Sequence, residues 1–200
     1  MPIEAIDYGE NIRSRGSVRY LLGLIVRLQR YLKHERARRV ARRRGAKIGK
    51  NVVLPLSLAR KSNSNLVIGD ETTIASDDMN LRDPVRIGSH VIIGNNVKLM
   101  TRSHNVDSVF WESKGNGGLE ICDYVWCATD VSILPGCRKI GKGAVLGASA
   151  VVVKDVEEMA VMGGNPARML RMRKSVHSSL IVPSVLGGDL FAYIKARSQT

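Results

Sequence analysis

From residue 45 onward, an aliphatic side chain followed by a small or polar one returns every six positions. The units read IGKNVV (48–53), IGDETT (68–73), IASDDM (74–79), IGSHVI (87–92) and IGNNVK (93–98). They resume as ICDYVW (121–126), CATDVS (127–132), IGKGAV (140–145), LGASAV (146–151) and VVKDVE (152–157). The fifth position is again small or β-branched: Val52, Thr72, Val91, Val97, Val125, Val131, Ala144 and Ala150. Each unit predicts one short strand and one turn, its first residue pointing inward to stack on the equivalent residue of the next coil. No coil buries its own interior, so stability must come from stacking between neighbours. The competing reading is an ordinary antiparallel sheet, which ten such units across 110 residues disfavour.

The rhythm does not hold throughout. Residues 54–67 fit it poorly, Cys137-Arg138-Lys139 puts seven residues rather than six between Ile133 and Ile140, and Leu99 lies 22 residues from Ile121. The last interval cannot stay in the wall and predicts a loop over 100–120, rich in polar and aromatic residues and closed by KGNGG (114–118). Loops held on a rigid scaffold are where function concentrates. Ahead of the repeat, Val18, Leu21, Ile25, Leu28 and Leu32 recur at 3,4,3,4 spacing and predict a helix over 17–44 with an apolar stripe flanked by Arg and Lys.

Composition agrees with many short stacked elements. Hydrophobic residues make up 44% of the 200, aromatic residues only 4%, and there are 19 glycines. The net charge of +13 is concentrated at the front: residues 1–50 hold 14 Lys/Arg against 4 Asp/Glu, leaving 17 against 14 for the rest. Cys122, Cys127 and Cys137 lack metal-ligand spacing, and the N-terminus MPIEAIDYGE lacks the order of a secretory signal, so reduced thiols in the cytoplasm are expected. The longest apolar run, Tyr20 to Val26, falls short of the ~20 residues a membrane span needs.

The run VWCATDVSILPGCRKIGKGAVLGASAVVVKDVEEMAVMGGNPARMLR (125–171) keeps the orders W-x-x-x-x-V-x-I-L-P-G, I-G-x-G-A-V-x-G-A, V-V-K-D-V and G-G-N-P-A-R. In these motifs the chain resembles the hexapeptide-repeat acyltransferases, and within them the sugar O-acetyltransferases that include the galactoside and maltose enzymes. The resemblance covers about residues 45–172. It implies a mainly β fold, a left-handed parallel β-helix of three-sided coils, with 1–44 as a basic helical segment and 173–200 as a C-terminal tail. Handedness comes from the resemblance alone.

The resemblance also implies acetyl-CoA as co-substrate with no metal, and a cleft between two subunits of a homotrimer. By motif position, Trp126 and Thr129 would lie along the pantetheine arm, followed by Ala148, Lys154, Arg168 and Arg171. Lys and Arg suit its phosphates through charge-assisted hydrogen bonds. The catalytic histidine of the family sits just after a repeat strand where a long loop begins, and His104 occupies that position. An imidazole has the right basicity to take a proton from an acceptor hydroxyl near neutrality, with backbone N–H groups holding the developing oxyanion. Asp107 is the candidate to orient the ring, since Asn105 stands where relatives carry a second His or a Pro. Asn80 and Asp83, in MNLRDP, resemble acceptor-binding positions.

Among the other histidines, His90 reads as a solvent-facing corner, His34 sits among arginines and His177 lies in the tail. Cys122 and Cys127 read as packing at repeat positions. The expected activity is O-acetylation of a sugar or surface-polysaccharide precursor. Acylation of an amino-sugar nitrogen or of serine, and a non-catalytic scaffold, stay open; a γ-class carbonic anhydrase needs three histidines around zinc, and the repeats offer only His90 and His104. For the basic helix, three readings stand: packing against the coil end or a neighbouring subunit, a peripheral contact of 17–44 with the inner membrane face, or nucleic acid. No nucleic-acid motif or stacking set supports the last, so no nucleic-acid partner is expected.

Overall fold

The computed structural model describes residues 8–177 and 186–198; residues 1–7, 178–185 and 199–200, parts of the expected N-terminal segment and tail, lie outside the described residues. Three parallel sheets form the sides of a prism. The first side runs β1 (Lys47–Ile48), β2 (Leu66–Ile68), β4 (Val85–Ile87), β9 (Leu119–Ile121), β12 (Lys139–Ile140). The second runs β3 (Thr73–Ile74), β5 (Ile92–Ile93), β10 (Trp126–Cys127), β13 (Val145–Leu146), β15 (Ala160–Gly163), and ends on β16 (Arg168–Met172), which is antiparallel to β15. The third runs β6 (Lys98–Leu99), β11 (Ser132–Ile133), β14 (Val151–Val152).

Register confirms the stacked reading residue by residue. Ile48, Ile68, Ile87, Ile121 and Ile140 stand above one another on the first side. Ile74, Ile93, Cys127, Leu146 and Met162 do so on the second, and Leu99, Ile133 and Val152 on the third. The fifth positions lie in the same core: Val52, Val91, Val97, Val125, Val131, Ala144 and Ala150 are all 0% exposed. Thr72 shares that burial because its hydroxyl donates to the Gly88 carbonyl and accepts from the Val91 N–H. At the second position the coils approach so closely that a Cβ on Gly69 would lie 2.7 Å from the Gly88 carbonyl carbon, hence the run of glycines.

Each departure from the six-residue rhythm has a physical cause. Within 54–67 the chain leaves the wall as α3 (Leu56–Lys61), whose Leu58 and Ala59 are buried in the core cluster, and rejoins it at Leu66 as β2. The extra residue at 137–139 is absorbed by Asp155, whose Oδ1 accepts from the N–H groups of Arg138 (2.6 Å) and Lys139 (2.9 Å). Cys127 and Cys137 are fully buried and Cys122 half-buried; burial pushes the thiols of Cys127 and Cys137 up to about 12. The third departure, after Leu99, is the hairpin described below.

The front helix, α2 (Ser17–Arg43), closes one end of the prism with its last turns, where Ala37 and Ala41 join the core. Another of its faces holds α4 (Leu190–Ser198) and α1 (Tyr8–Arg13): Tyr193 stacks on Tyr20 at 5.0 Å, Arg27 lies over the Tyr193 ring at 3.9 Å, and Asp189 accepts from Arg27 at 3.0 Å. The helix therefore packs, but not through the stripe that predicted it. Val18, Leu21, Ile25, Leu28 and Leu32 all remain exposed.

Beyond β16 the chain straps back across the first corner. Arg173 donates to the carbonyls of Tyr124 and Gly143, and its Nη2 lies 3.1 Å from His177 Nδ1. His177 Nε2 reaches the His90 carbonyl at 2.7 Å, and the His90 ring stacks on Tyr124 at 4.7 Å. His90 is thus half-buried under the strap rather than a solvent-facing corner. Arginine can only donate, so Nδ1 of His177 must be unprotonated and Nε2 carries the hydrogen. Burial, with Arg173 nearby, holds this imidazole below its ordinary pKa. The folded state thus binds the proton less well than the unfolded chain, and the latch contributes stability above about pH 6.5 that is lost as pH falls below it. Hydrogen-exchange protection of 171–177 is expected to drop at pH 5 relative to pH 7.5, and His177→Phe should abolish that dependence. Protection that does not change with pH would remove the latch.

Candidate active site

The hairpin leaves the third side after β6 and rejoins the first at β9. Its strands, β7 (Arg102–His104) and β8 (Ser113–Gly115), pair antiparallel with His104 opposite Ser113. The tip is built from its own residues. Asn105 donates its N–H to the Glu112 carbonyl and accepts the Asp107 N–H on Oδ1; the Trp111 N–H donates to the Ser108 carbonyl. This turn brings the Trp111 carbonyl 2.8 Å from His104 Nδ1 and lays the indole over the imidazole, centroids 4.8 Å apart and planes 17° from parallel. A carbonyl can only accept, so the neutral ring carries its hydrogen on Nδ1 and presents the Nε2 lone pair outward. The expected orienting role of Asp107 goes instead to the Trp111 backbone; Asp107 is exposed and contributes its N–H to the turn.

Asp83 lies beneath the hairpin, only 8% exposed, and accepts from Arg102 at 2.8 Å. A Cβ on Gly115 would stand 2.8 Å from its Oδ2, so the glycine lets β8 cross directly over the carboxylate. Asn80 works at the same base: Oδ1 accepts the Arg82 N–H, and its carbonyl accepts the hydroxyl of buried Thr101. Both residues expected to face an acceptor are thus engaged at the footing of the hairpin. Asn116 closes the other end, donating from Nδ2 to the Pro135 carbonyl at 2.9 Å and accepting the Gly118 N–H.

The six residues expected along the donor fall elsewhere, with one exception. Trp126, 44% exposed on β10, shares an outward row with Val145, Val161 and Arg171. Three strand spacings, about 14 Å, separate Trp126 from Arg171. Thr129 and Ala148 are exposed at the corner that follows, in successive coils, with the Ser149 N–H donating to the Thr129 carbonyl. Arg168 begins β16 opposite Gly163 and is exposed. Lys154 is exposed two residues beyond β14, on the corner from which the hairpin springs. One chain therefore carries His104, its footing and Lys154 on one edge, and the other five on the second side and its following edge.

A groove of about 480 Å3 opens beside Thr129, lined by Lys61, Ser76, Asp77, Asn95, Asn96 and Asp130 among others. The Ser57 hydroxyl and Lys61 hold the Asp77 carboxyl below its ordinary range, and Asn96 donates to Asp130 at 3.1 Å. Sequence reasoning missed this groove, the Trp111 carbonyl and the anchoring role of Asp83. The first has no motif; the aromatic pair Phe110-Trp111 at the loop tip was the only written signal for the second. Among the described residues, no three metal-ligating side chains gather.

Three parallel sheets of short strands, with a hairpin breaking out after the third side, define the class of coiled-repeat β proteins. No protein-family model matches the chain. It is 37% identical over 131 residues to WcaF of Escherichia coli (strain K12), which carries the name of a colanic acid biosynthesis acetyltransferase, covering 64% of this chain and 70% of that one. A galactoside O-acetyltransferase of Lactococcus lactis is 33% identical over 125 residues, 62% of this chain and 54% of the other. Among solved structures, a hexapeptide-repeat acetyltransferase from Vibrio cholerae superposes with TM-score 0.57 at 26% identity, over 86% of this chain and 96% of its own. A galactoside acetyltransferase in complex with coenzyme A gives TM-score 0.51 over 84% of each chain; at 21% identity it shares the fold. The chain belongs to the hexapeptide-repeat acetyltransferases, and its prism is their left-handed β-helix. It is an acetyltransferase.

Proposed function

We propose that the protein moves an acetyl group from acetyl-CoA to a hydroxyl of a sugar or surface-polysaccharide precursor, with His104 as general base. The observation that carries this is the His104 ring, fixed through Nδ1 by the Trp111 carbonyl so that Nε2 is the proton-accepting atom. Nε2 takes the acceptor hydroxyl proton as the oxygen attacks the thioester carbonyl. The tetrahedral intermediate then expels the coenzyme A thiolate, which receives the proton from the imidazolium. No metal is needed for these steps.

The split of site residues between two edges supports a homotrimer in which the hairpin of one subunit faces the second side of its neighbour. Trp126, Thr129 and Ala148 would flank the pantetheine there, with Lys154, Arg168 and Arg171 available to the phosphates. The amide- and carboxylate-lined groove beside Thr129 has the hydrogen-bonding side chains that polyhydroxyl ligands use. The names of WcaF and of the Lactococcus enzyme point to the same acceptor class. Three free cysteines fit a cytoplasmic location.

Thiol release from acetyl-CoA with a panel of sugars, amino sugars and serine tests the acceptor. Turnover with hydroxyl sugars is expected; turnover with only amino sugars would overturn the O-acetyl reading, and turnover with only serine would overturn the sugar acceptor. Because the thiols of Cys127 and Cys137 are buried and raised, iodoacetamide at neutral pH should leave turnover intact. Inactivation that tracks labelling of either cysteine would count against direct transfer.

A further inference from the structure

We infer that the outer face of α2 docks on an anionic lipid bilayer. Val18, Leu21, Leu22, Ile25, Val26, Leu28 and Leu32 are each 44–73% exposed. At 3.6 residues per turn they occupy one arc of about 160°, interrupted by Gln29. The opposite arc is the one already in use, by Tyr20, Leu24, Ala37 and Ala41 against α4, α1 and the coil end. Among the described residues, nothing covers this long apolar strip.

Charge decides the occupant. Arg36 and Arg43 continue the same face toward the C-terminal end of the helix, Lys33 flanks it, and all three are exposed. Arg19 and Arg30 lie at its margin, and a recess of about 380 Å3 lined by Arg30, Lys33, Leu54 and Pro55 opens beside it. Of the cations on this face, only Arg39 is paired, with Glu35, among the ion pairs of the described residues. A second copy of the helix laid parallel against this face would bring like charges together, and laid antiparallel it would still leave them unneutralised. Anionic head groups neutralise them, while the apolar arc enters the head-group boundary as in interfacial amphipathic helices. No helix among the described residues is long and apolar enough to cross a membrane, so the contact is with the surface. Because α2 is fixed to the coil end through Ala37 and Ala41, docking would also hold the prism at a set angle to the bilayer.

The test is co-sedimentation of the full chain with vesicles of phosphatidylcholine alone or of phosphatidylcholine with phosphatidylglycerol. Binding to the anionic vesicles should exceed binding to the neutral ones by roughly tenfold or more and weaken with salt. Leu21→Ser/Ile25→Ser/Leu28→Ser and, separately, Lys33→Gln/Arg36→Gln/Arg43→Gln should each lower anionic-vesicle binding by roughly tenfold. Circular dichroism and thiol release from acetyl-CoA with soluble acceptor should stay as in the parent. Equal binding to both vesicle types, or undiminished binding by the serine variant, overturns the proposal. So does a serine variant whose oligomer mass falls by light scattering without vesicles, since the face would then be a contact between copies. Vesicle binding, circular dichroism and light scattering do not depend on which acceptor the enzyme uses.

Discussion

His104→Ala is expected to lower kcat by roughly 10²–10⁴-fold, the usual loss for a general base, with coenzyme A affinity unchanged. The ring is exposed on a hairpin that springs from one edge, while five of the six residues placed along the donor belong to the second side and its following edge, so its removal leaves those five untouched. Trp111→Ala separates the two halves of the support. It keeps the backbone carbonyl that accepts from Nδ1 and deletes the indole stacked on the ring, so its loss should be smaller than that of His104→Ala. Single-turnover thiol release and equilibrium coenzyme A binding measure both. Near-normal kcat in His104→Ala would remove the general base from the mechanism, and the acceptor proton would then have to leave by another group.

What could be read from the chain follows the range of the interactions involved. The columns Ile48 to Ile140 and Leu99 to Val152 repeat a local instruction, one inward aliphatic residue per six, and such periodicity survives in a single sequence. The irregularities are also visible as breaks, but their solutions are not. Nothing in Cys137-Arg138-Lys139 announces that a carboxylate 16 residues on will satisfy the extra N–H groups. The stripe on α2 is a true helical signal, yet periodicity reports only that one face is apolar; that the opposite face takes the packing is a tertiary fact. At the hairpin His104 is singled out through the family resemblance, whereas the group its ring meets is a main-chain carbonyl, which every residue carries. Asp107 was the nearest side chain able to do the work, and a turn capped by Asn105 points elsewhere.

Asp83 shows the same limit and gives the second large effect. Its motif resembles an acceptor-binding position, and in the structure it is buried as the counter-charge of Arg102, two residues before His104. Removing one member of a fully buried pair costs about 3–5 kcal/mol. Arg102 keeps 33% of its side chain in solvent, so Asp83→Ala should cost less, about 2 kcal/mol, and mainly within the hairpin. The stacked core does not pass through this pair, so the prism should stay folded while β7 and β8 loosen. A displacement of about 1 Å at a catalytic group can cost roughly 10²-fold in rate, and kcat should fall by that order with coenzyme A affinity retained. Asp83→Asn, which keeps an acceptor oxygen facing Arg102, should lose less. Hydrogen exchange over 102–116 distinguishes this role from the acceptor-binding one. A raised acceptor KM with unchanged protection of the hairpin would return Asp83 to the substrate, whereas lost protection with a lowered kcat identifies it as the footing on which His104 stands.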